Sequence, residues 1–367
     1  MFDSKLKKIV FTLPTLTAGG MERVMSELVN YISKKDKVEC HLVIYGKLTT
    51  DFYKIEDKVI IHRPDFIFND TKRTLSTVKT MQFIRKTIKR INPESVLSFG
   101  EYWNNLVLLS LIGTKYPVFI SDRSSPEMKL GKMQETLRCA LYPKAKGLIA
   151  QTNKSLELAY LKYAKLNTKT IGNPIRMIHN ENSSVIRENI VVSVGRLIDT
   201  KHFDRLINIF AKINNKDWKL IIIGGDSNKQ TNSMILDKQI KELGLTDNII
   251  LAGRQSTVDE YLLKASIFVF TSSSEGFPNV IGEAMSAGLP VVSYDCIAGP
   301  SDMIEDGENG YLIPLFDDAL FQNRLEELMN NSDKRQKMGL NALRSIKQFS
   351  VEKIGEQYYN FIMNKNE

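Results

Sequence analysis

Two glutamates, Glu275 and Glu283, bracket the segment Gly276-Phe277-Pro278-Asn279-Val280-Ile281-Gly282. A carboxylate pair of this kind can bind hydroxyls, stabilise a cationic carbon or exchange protons with a substrate. The residues around the pair say where it sits. Ile267 to Thr271 is a β-branched and aromatic run, which predicts a buried strand. Ala284-Met285-Ser286-Ala287 favours helix, and Gly288-Leu289-Pro290 stops it. Glu275 therefore lies in the loop at the carboxyl end of a strand, and Glu283 on the first turns of the next helix. Ligands of open α/β sheets bind at that edge. The backbone N–H groups of Asn279, Val280 and Ile281, at the helix start, are placed to hold an anion such as a phosphate.

Positive charge follows another predicted strand, Ile190 to Val194, as Gly195-Arg196 and then Lys201. Arginine grips a phosphate bidentately and lysine acts as a point charge; a solvated loop pair is the alternative. Near the start, the strand Ile9 to Leu13 leads through Gly19-Gly20 into a helical pattern carrying Val24, Leu28 and Ile32. Paired glycines let backbone N–H groups approach a phosphate, or simply make a turn. The dinucleotide fingerprint G-x-G-x-x-G is absent, which counts against a nicotinamide or flavin enzyme.

The glutamate spacing, the Gly195-Arg196 and Lys201 group, and Gly19-Gly20-Met21-Glu22-Arg23 resemble the signature of retaining nucleotide-sugar glycosyltransferases of family 4, of the bacterial surface-polysaccharide type. The three motifs stand in the family's order and span residues 19 to 283. The resemblance implies a GT-B fold, two Rossmann-like doubly wound parallel-sheet domains facing across a cleft. It implies that Arg196 and Lys201 hold the donor diphosphate, that Glu283 accepts hydrogen bonds from the ribose, and that Glu275 sits at the sugar near the anomeric carbon. It also places the base pocket near Gly253-Arg254. In the loop Ser121-Asp122-Arg123-Ser124 many family members carry a histidine beside the sugar. Here Arg123 stands in its place, and Asp122 and Arg123 are left either to contact the acceptor or its phosphate, or to form an exposed salt bridge in a turn.

The reaction so implied transfers a sugar, UDP-linked by family frequency, to a saccharide or polyprenyl-diphosphate-linked acceptor. Retention without an evident nucleophile points to front-face attack, the leaving phosphate helping to deprotonate the acceptor. Clustered carboxylates are absent from the motifs and no D-x-D occurs, so neither metal nor other cofactor is expected. A glycosidase pair is disfavoured because both glutamates come from one loop beside a phosphate-binding helix start. Two other readings remain: a sugar-nucleotide 2-epimerase of the same architecture, and a non-catalytic nucleotide-sugar or anionic-lipid binding module. The first should bear further acid and base groups, yet His41, His62, His179 and His202 all lie outside the motifs. The second would not need the whole Glu, Arg and Lys set.

At 367 residues, with 43% hydrophobic and 25% charged residues, two ordinary globular domains are expected. We read residues 1–175 as an acceptor-side domain, the polar stretch Asn180 to Ser184 as linker, 188–348 as the nucleotide-sugar domain, and 349–367 as a helix crossing back to the first. Six strands alternating with helices are expected in each half. Cys40, Cys139 and Cys296 form no CxxC pair, which suits a reducing cytoplasm. Met1 to Lys8 leads into a strand without a signal-peptide core, and Leu106 to Ile112 is too short to span a bilayer. Charge is uneven: residues 1–175 hold 29 Lys and Arg against 16 Asp and Glu, a net of +13, leaving 21 against 26, or −5, for the rest. A basic half faces something anionic. Nothing resembles a nucleic-acid motif. Residues 71–91 form a helix with Leu75, Val78, Met81, Ile84, Ile88 and Ile91 on one side and only cations among its charges. That suits peripheral attachment to an anionic membrane, or a core-packed helix with a solvated cationic face.

Overall fold

The computed structural model describes residues 6–47, 50–178, 186–227 and 231–364. The chain forms two compact units, one of Met1–Pro174 with Val351–Glu367 and one of Ile175–Ser350. The expected linker Asn180 to Ser184, and His179 beside it, lie outside the described residues.

In the first unit the strands are β1 (Lys7–Leu13), β2 (Val38–Ile44), β3 (Ile60–His62), β4 (Ser95–Phe99), β5 (Val118–Ser121), β6 (Gly147–Ala150) and β7 (Thr168–Thr170). They make one sheet in the order β3-β2-β1-β4-β5-β6-β7, every pair parallel. The sheet has seven strands, not six. β3 and β7 are three residues each at the two edges, and β7 is Thr-Lys-Thr, so neither makes the apolar run that betrays a central strand. The helix Val351–Ile362 completes this unit. Tyr358 packs beside Phe99 and Phe361 against Phe119, and a side chain at Gly355 would meet the Tyr31 ring at 2.3 Å.

The helix Arg73–Ile91 corrects its sequence reading. Its buried face is Ser76, Thr80, Ile84, Thr87, Ile88 and Ile91, while Leu75 and Val78 are exposed. Threonine can occupy the inner face because its hydroxyl bonds back to the preceding turn, as Thr80 Oγ1 does to Ser76 O at 2.9 Å. Arg85 does not belong to a free cationic face: its Nη1 donates to the carbonyls of Ser110 and Ile112, both at 2.9 Å, and so caps the end of the helix Glu101–Ser110.

The second unit holds β8 (Ile190–Val194), β9 (Lys219–Ile223), β10 (Ile249–Gly253), β11 (Ile267–Phe270), β12 (Val291–Tyr294) and β13 (Gly310–Ile313). Their order is β10-β9-β8-β11-β12-β13, again all parallel. Both faces of the sheet carry buried aliphatic and aromatic clusters, as helix-covered parallel sheets require. Among the described residues, no helix is long and apolar enough to cross a membrane.

Candidate functional site

From β8 the chain winds outward to β9 and β10, then returns to place β11 on the other side of β8. The loops leaving β8 and β11 therefore part at a topological switch point, where such sheets open a crevice. The loop after β8 carries Gly195, the exposed Arg196 and the 3₁₀ turn Asp199–Lys201. The loop after β11 carries Glu275 and ends at the helix Asn279–Ser286. The two are stitched together. Ser273 N–H and Ser272 Oγ donate to Thr200 O at 2.8 and 3.1 Å, Thr271 Oγ1 donates to Lys201 O at 2.7 Å, and His202 Nε2 lies 2.8 Å from Ser273 Oγ. Lys201 Nζ thereby reaches Glu275 Oε1 at 2.5 Å, with the two side chains only 15% and 16% exposed, and lies over the Phe270 ring at 4.8 Å. Arg196 has no side-chain partner among the described residues.

The helix start offers less than its sequence suggests. Asn279 N–H donates to Phe277 O at 3.0 Å and Ile281 N–H to Pro278 O at 2.9 Å, which leaves Val280 with the open N–H. A tight turn at Pro278 uses the donors that a straighter entry would leave free. The side chains of Phe277 and Ile281 are buried in the core, Phe277 against Phe349, so what these residues and Gly276 can present to a ligand is backbone. Glu283 is half-buried on the same helix. Arg254, after β10, arches over the backbone of Gly225 and donates through Nη2 to Asp226 O at 2.9 Å.

The first unit repeats the plan. Its switch point lies between β1 and β4, and those strands lead to helices that start at Gly19-Gly20 and at Glu101. Gly19 is extended, and the Tyr53 hydroxyl takes both its polar groups, accepting from Gly19 N–H at 3.3 Å and donating to Gly19 O at 3.0 Å. That N–H is not open to a phosphate. Glu22, on the first turn of the helix Gly20–Ser33, folds its carboxylate back toward Gly19, and burial raises its pKa above the usual carboxylate range.

Asp122 and Arg123 make no salt bridge with each other, exposed or otherwise. Asp122 pairs with Arg138 and accepts from Tyr142 Oη at 2.5 Å and Asn104 Nδ2 at 3.2 Å, so its oxygens are committed within the unit. The Arg123 guanidinium stacks on Phe99 at 4.2 Å and donates to Asn173 Oδ1 at 2.7 Å and Tyr358 Oη at 3.4 Å. Its backbone N–H and that of Ser124 donate to Glu101 Oε1 at 3.0 and 2.8 Å. Burial lowers the Arg123 pKa and raises that of Glu101, the latter helped by the charge of Asp122.

Residues 175–345, the second unit with both of its switch-point loops, match the family model described as Glycosyl transferases group 1. The chain carries a glycosyl transferases group 1 domain. It is 27% identical over 358 residues to the amylovoran biosynthesis glycosyltransferase AmsD of Erwinia amylovora, covering 95% of this chain and 96% of that protein. It is 26% identical over 364 residues to a Campylobacter jejuni N-acetyl-D-galactosaminyltransferase whose name gives a diNAcBac-PP-undecaprenol glycan as acceptor, covering 97% and 98%. Among solved structures, Anabaena HepE in complex with UDP superposes with a TM-score of 0.79 at 18% identity, over 98% of this chain and all of that one (100%). A mutant of Staphylococcus aureus TarM, in complex with Fondaparinux, alpha-GlcNAc-glycerol and UDP, gives 0.76 at 18% identity over 97% and 99%. Those likenesses establish the GT-B fold.

Within the glycosyl transferases group 1 domain, the loop after β12 escaped the sequence reading. Asp295-Cys296-Ile297-Ala298-Gly299 lies beside Glu275, whose charge adds to burial in pushing the Cys296 thiol up to about 12. Gly299 has φ +104°, and a Cβ there would sit 2.1 Å from Pro278 Cδ. Gly299-Pro300 in the short loop that follows an apolar run was the available signal. His202, whose pKa burial lowers, takes a left-handed conformation at the start of the helix Phe203–Ile213, and its imidazole ties the two switch-point loops together.

Proposed function

We propose that this glycosyltransferase moves a sugar from a nucleotide-diphosphate sugar, UDP-linked, to a saccharide or polyprenyl-diphosphate-linked acceptor, with the anomeric configuration kept and without a metal ion. The observation that carries the reading is that the Lys201–Glu275 pair and Arg196, which has no side-chain partner among the described residues, stand on the two loops of the second unit's switch point. Arg196 and the Val280 N–H are the groups available to a diphosphate before any rearrangement, and Lys201 joins them when a sugar hydroxyl takes its place at Glu275. Placing fixed positive charge where the leaving group gains negative charge is the largest contribution such a site makes, about 3–4 kcal/mol per group. Glu275, released toward the sugar, then offers its carboxylate to hydroxyls and to charge at the anomeric carbon, while Glu283 receives the ribose. Arg254 lies where a base would stack.

Support comes from several sides. Both neighbouring structures named above were solved with UDP. One relative is named for an undecaprenol-diphosphate acceptor and another for making amylovoran, which favours a role in cell-surface glycan assembly with an acceptor held at a membrane. Metal independence rests on the arginine and lysine taking the part of a cation.

The test is product analysis. The protein is incubated with UDP- and GDP-sugars in EDTA, with and without lipid-linked and soluble saccharides, and the new linkage is read by NMR. Transfer in EDTA with the donor's anomeric configuration is expected. An inverted product, an absolute need for added divalent ion, or an epimerised donor without acceptor would each overturn the corresponding part of the reading.

A further inference from the structure

In the first unit the helices Arg73–Ile91, Glu101–Ser110 and Lys132–Leu141 enclose a groove of about 680 Å³ with Tyr45, Met81, Trp103, Leu106, Leu109 and Leu137 among its walls. We propose that this groove takes the first isoprene units of a polyprenyl-diphosphate-linked acceptor, a proposal that rests on the lipid-linked reading above. An isoprenoid has no hydrogen bonds to make, so aliphatic and aromatic walls are what it requires. The apolar character also continues outward: Met133 on the rim is 70% exposed, Leu75 on the neighbouring helix 52%, and Tyr102 is exposed as well. A water-facing strip of this kind is what a membrane or an apolar ligand covers.

The charge at the mouth fits a diphosphate. Lys47 and Arg73 both line the groove, and Lys132 borders the adjoining pocket that shares Arg73, Thr77 and Tyr102. Arg73 has no side-chain partner among the described residues. Lys47 is held by Asp70 at 2.6 Å in a pair so exposed that an incoming phosphate displaces it at little cost. The helix Arg73–Ile91 holds no Asp or Glu along its length, so nothing on it repels the diphosphate or an anionic lipid surface.

Trp103 supplies the readout. It lies in the groove, part exposed, whereas the chain's other tryptophan, Trp218, is buried in the second unit. The protein is titrated with farnesyl diphosphate, farnesol and inorganic diphosphate while tryptophan emission is followed, with Trp103→Phe as control. A saturable change with farnesyl diphosphate, weaker with farnesol, absent with inorganic diphosphate and lost in Trp103→Phe is expected. Thr77→Phe, which narrows the groove from a half-exposed position, should weaken farnesyl diphosphate binding at least tenfold. It should also raise the KM for a lipid-linked acceptor about tenfold relative to that for the same saccharide without its lipid. No Trp103 response, or a Thr77→Phe variant that leaves both quantities alone, overturns the proposal. So does a response to the bare saccharide instead, which would assign the groove to a sugar and give partners to Tyr45 Oη and Asn105 Oδ1, both buried there without one among the described residues. Failure to transfer sugar to any acceptor would overturn the transferase reading, while the farnesyl diphosphate titration still decides the groove.

Discussion

Lys201 and Glu275 neutralise each other before any ligand arrives, and this separates two cations that the sequence presents as equals. Lys201 is largely covered, so Lys201→Ala leaves the Glu275 carboxylate half-dry and unpaired, at a cost of about 1–3 kcal/mol. Arg196 is exposed and has no side-chain partner among the described residues, and its loss should stay within about 0.5 kcal/mol. Both variants should lose about 10²–10³-fold in kcat. The check is urea unfolding beside kinetics, and equal stability of the two variants would refute the pairing. Each residue type was legible in the sequence, since a β-strand followed by Gly-Arg or Ser-Ser-Glu announces a loop at a sheet edge. The pairing was not, because the partners are 74 residues apart and only the crossover from β10 to β11 brings them together. Cys296 is a second residue whose behaviour its surroundings decide. With its thiol and that of Cys40 both pushed up to about 12, iodoacetamide at pH 8 should label only the exposed Cys139 in the native protein. Native labelling of Cys296 would place it outside the buried loop described above.

At the level of elements, the loop after β11 holds its shape because the one after β12 presses on it. Gly299→Ala would bring a methyl group against Pro278 in a left-handed conformation that alanine resists, so a loss of at least ~1 kcal/mol is expected, with a raised KM for the donor. An unchanged KM would show that the turn at Pro278 does not shape the site. The edge of the first sheet offers a pH test. His41 Nδ1 is 3.0 Å from His62 Nε2, and His41 Nε2 is 2.9 Å from Glu39 Oε1. A bond between two imidazoles needs one bare nitrogen, so double protonation sets two N–H groups face to face, with Lys8 and Arg90 adding like charge. Burial lowers both histidine pKa values. Their contribution is therefore present above the ordinary histidine pKa of about 6.5 and is lost as pH falls through the lower, folded values. Unfolding midpoints should drop between pH 7 and pH 5 by more in the wild type than in His62→Gln. The same edge shows why elements are unevenly readable: β1 carries the apolar run Ile9-Val10-Phe11 and β4 is buried along its whole length, whereas β3 is short and two of its residues face solvent. The helix Arg73–Ile91 misled for a related reason, since three of its six buried positions are Ser or Thr and its most visible apolar residues point away from the core.

For the molecule as a whole, alternation of strand and helix was enough to announce two doubly wound sheets, but the extent of the first unit depends on the last helix. Ile354, Tyr358, Tyr359 and Ile362 are all buried there, and Tyr358 both packs on Phe99 and receives a bond from Arg123. At about 2 kcal/mol for each buried side chain, their loss is comparable with the ~5–15 kcal/mol that holds a whole domain together. A chain ending at Ser350 should therefore lose the first unit while the second, whose own clusters of buried side chains are complete without that helix, stays folded. Under the proposed function the truncated chain still binds the donor nucleotide but transfers nothing. Differential scanning calorimetry with UDP separates the two units. At one hundred times its Kd, UDP should stabilise the second unit by about 2.7 kcal/mol in both chains. The transition of the first unit should be missing from the truncated one. If truncation instead abolished the response to UDP and spared the first unit, the helix would have to serve the donor site, and Arg123 would lose its claim to be positioned from the far end of the chain.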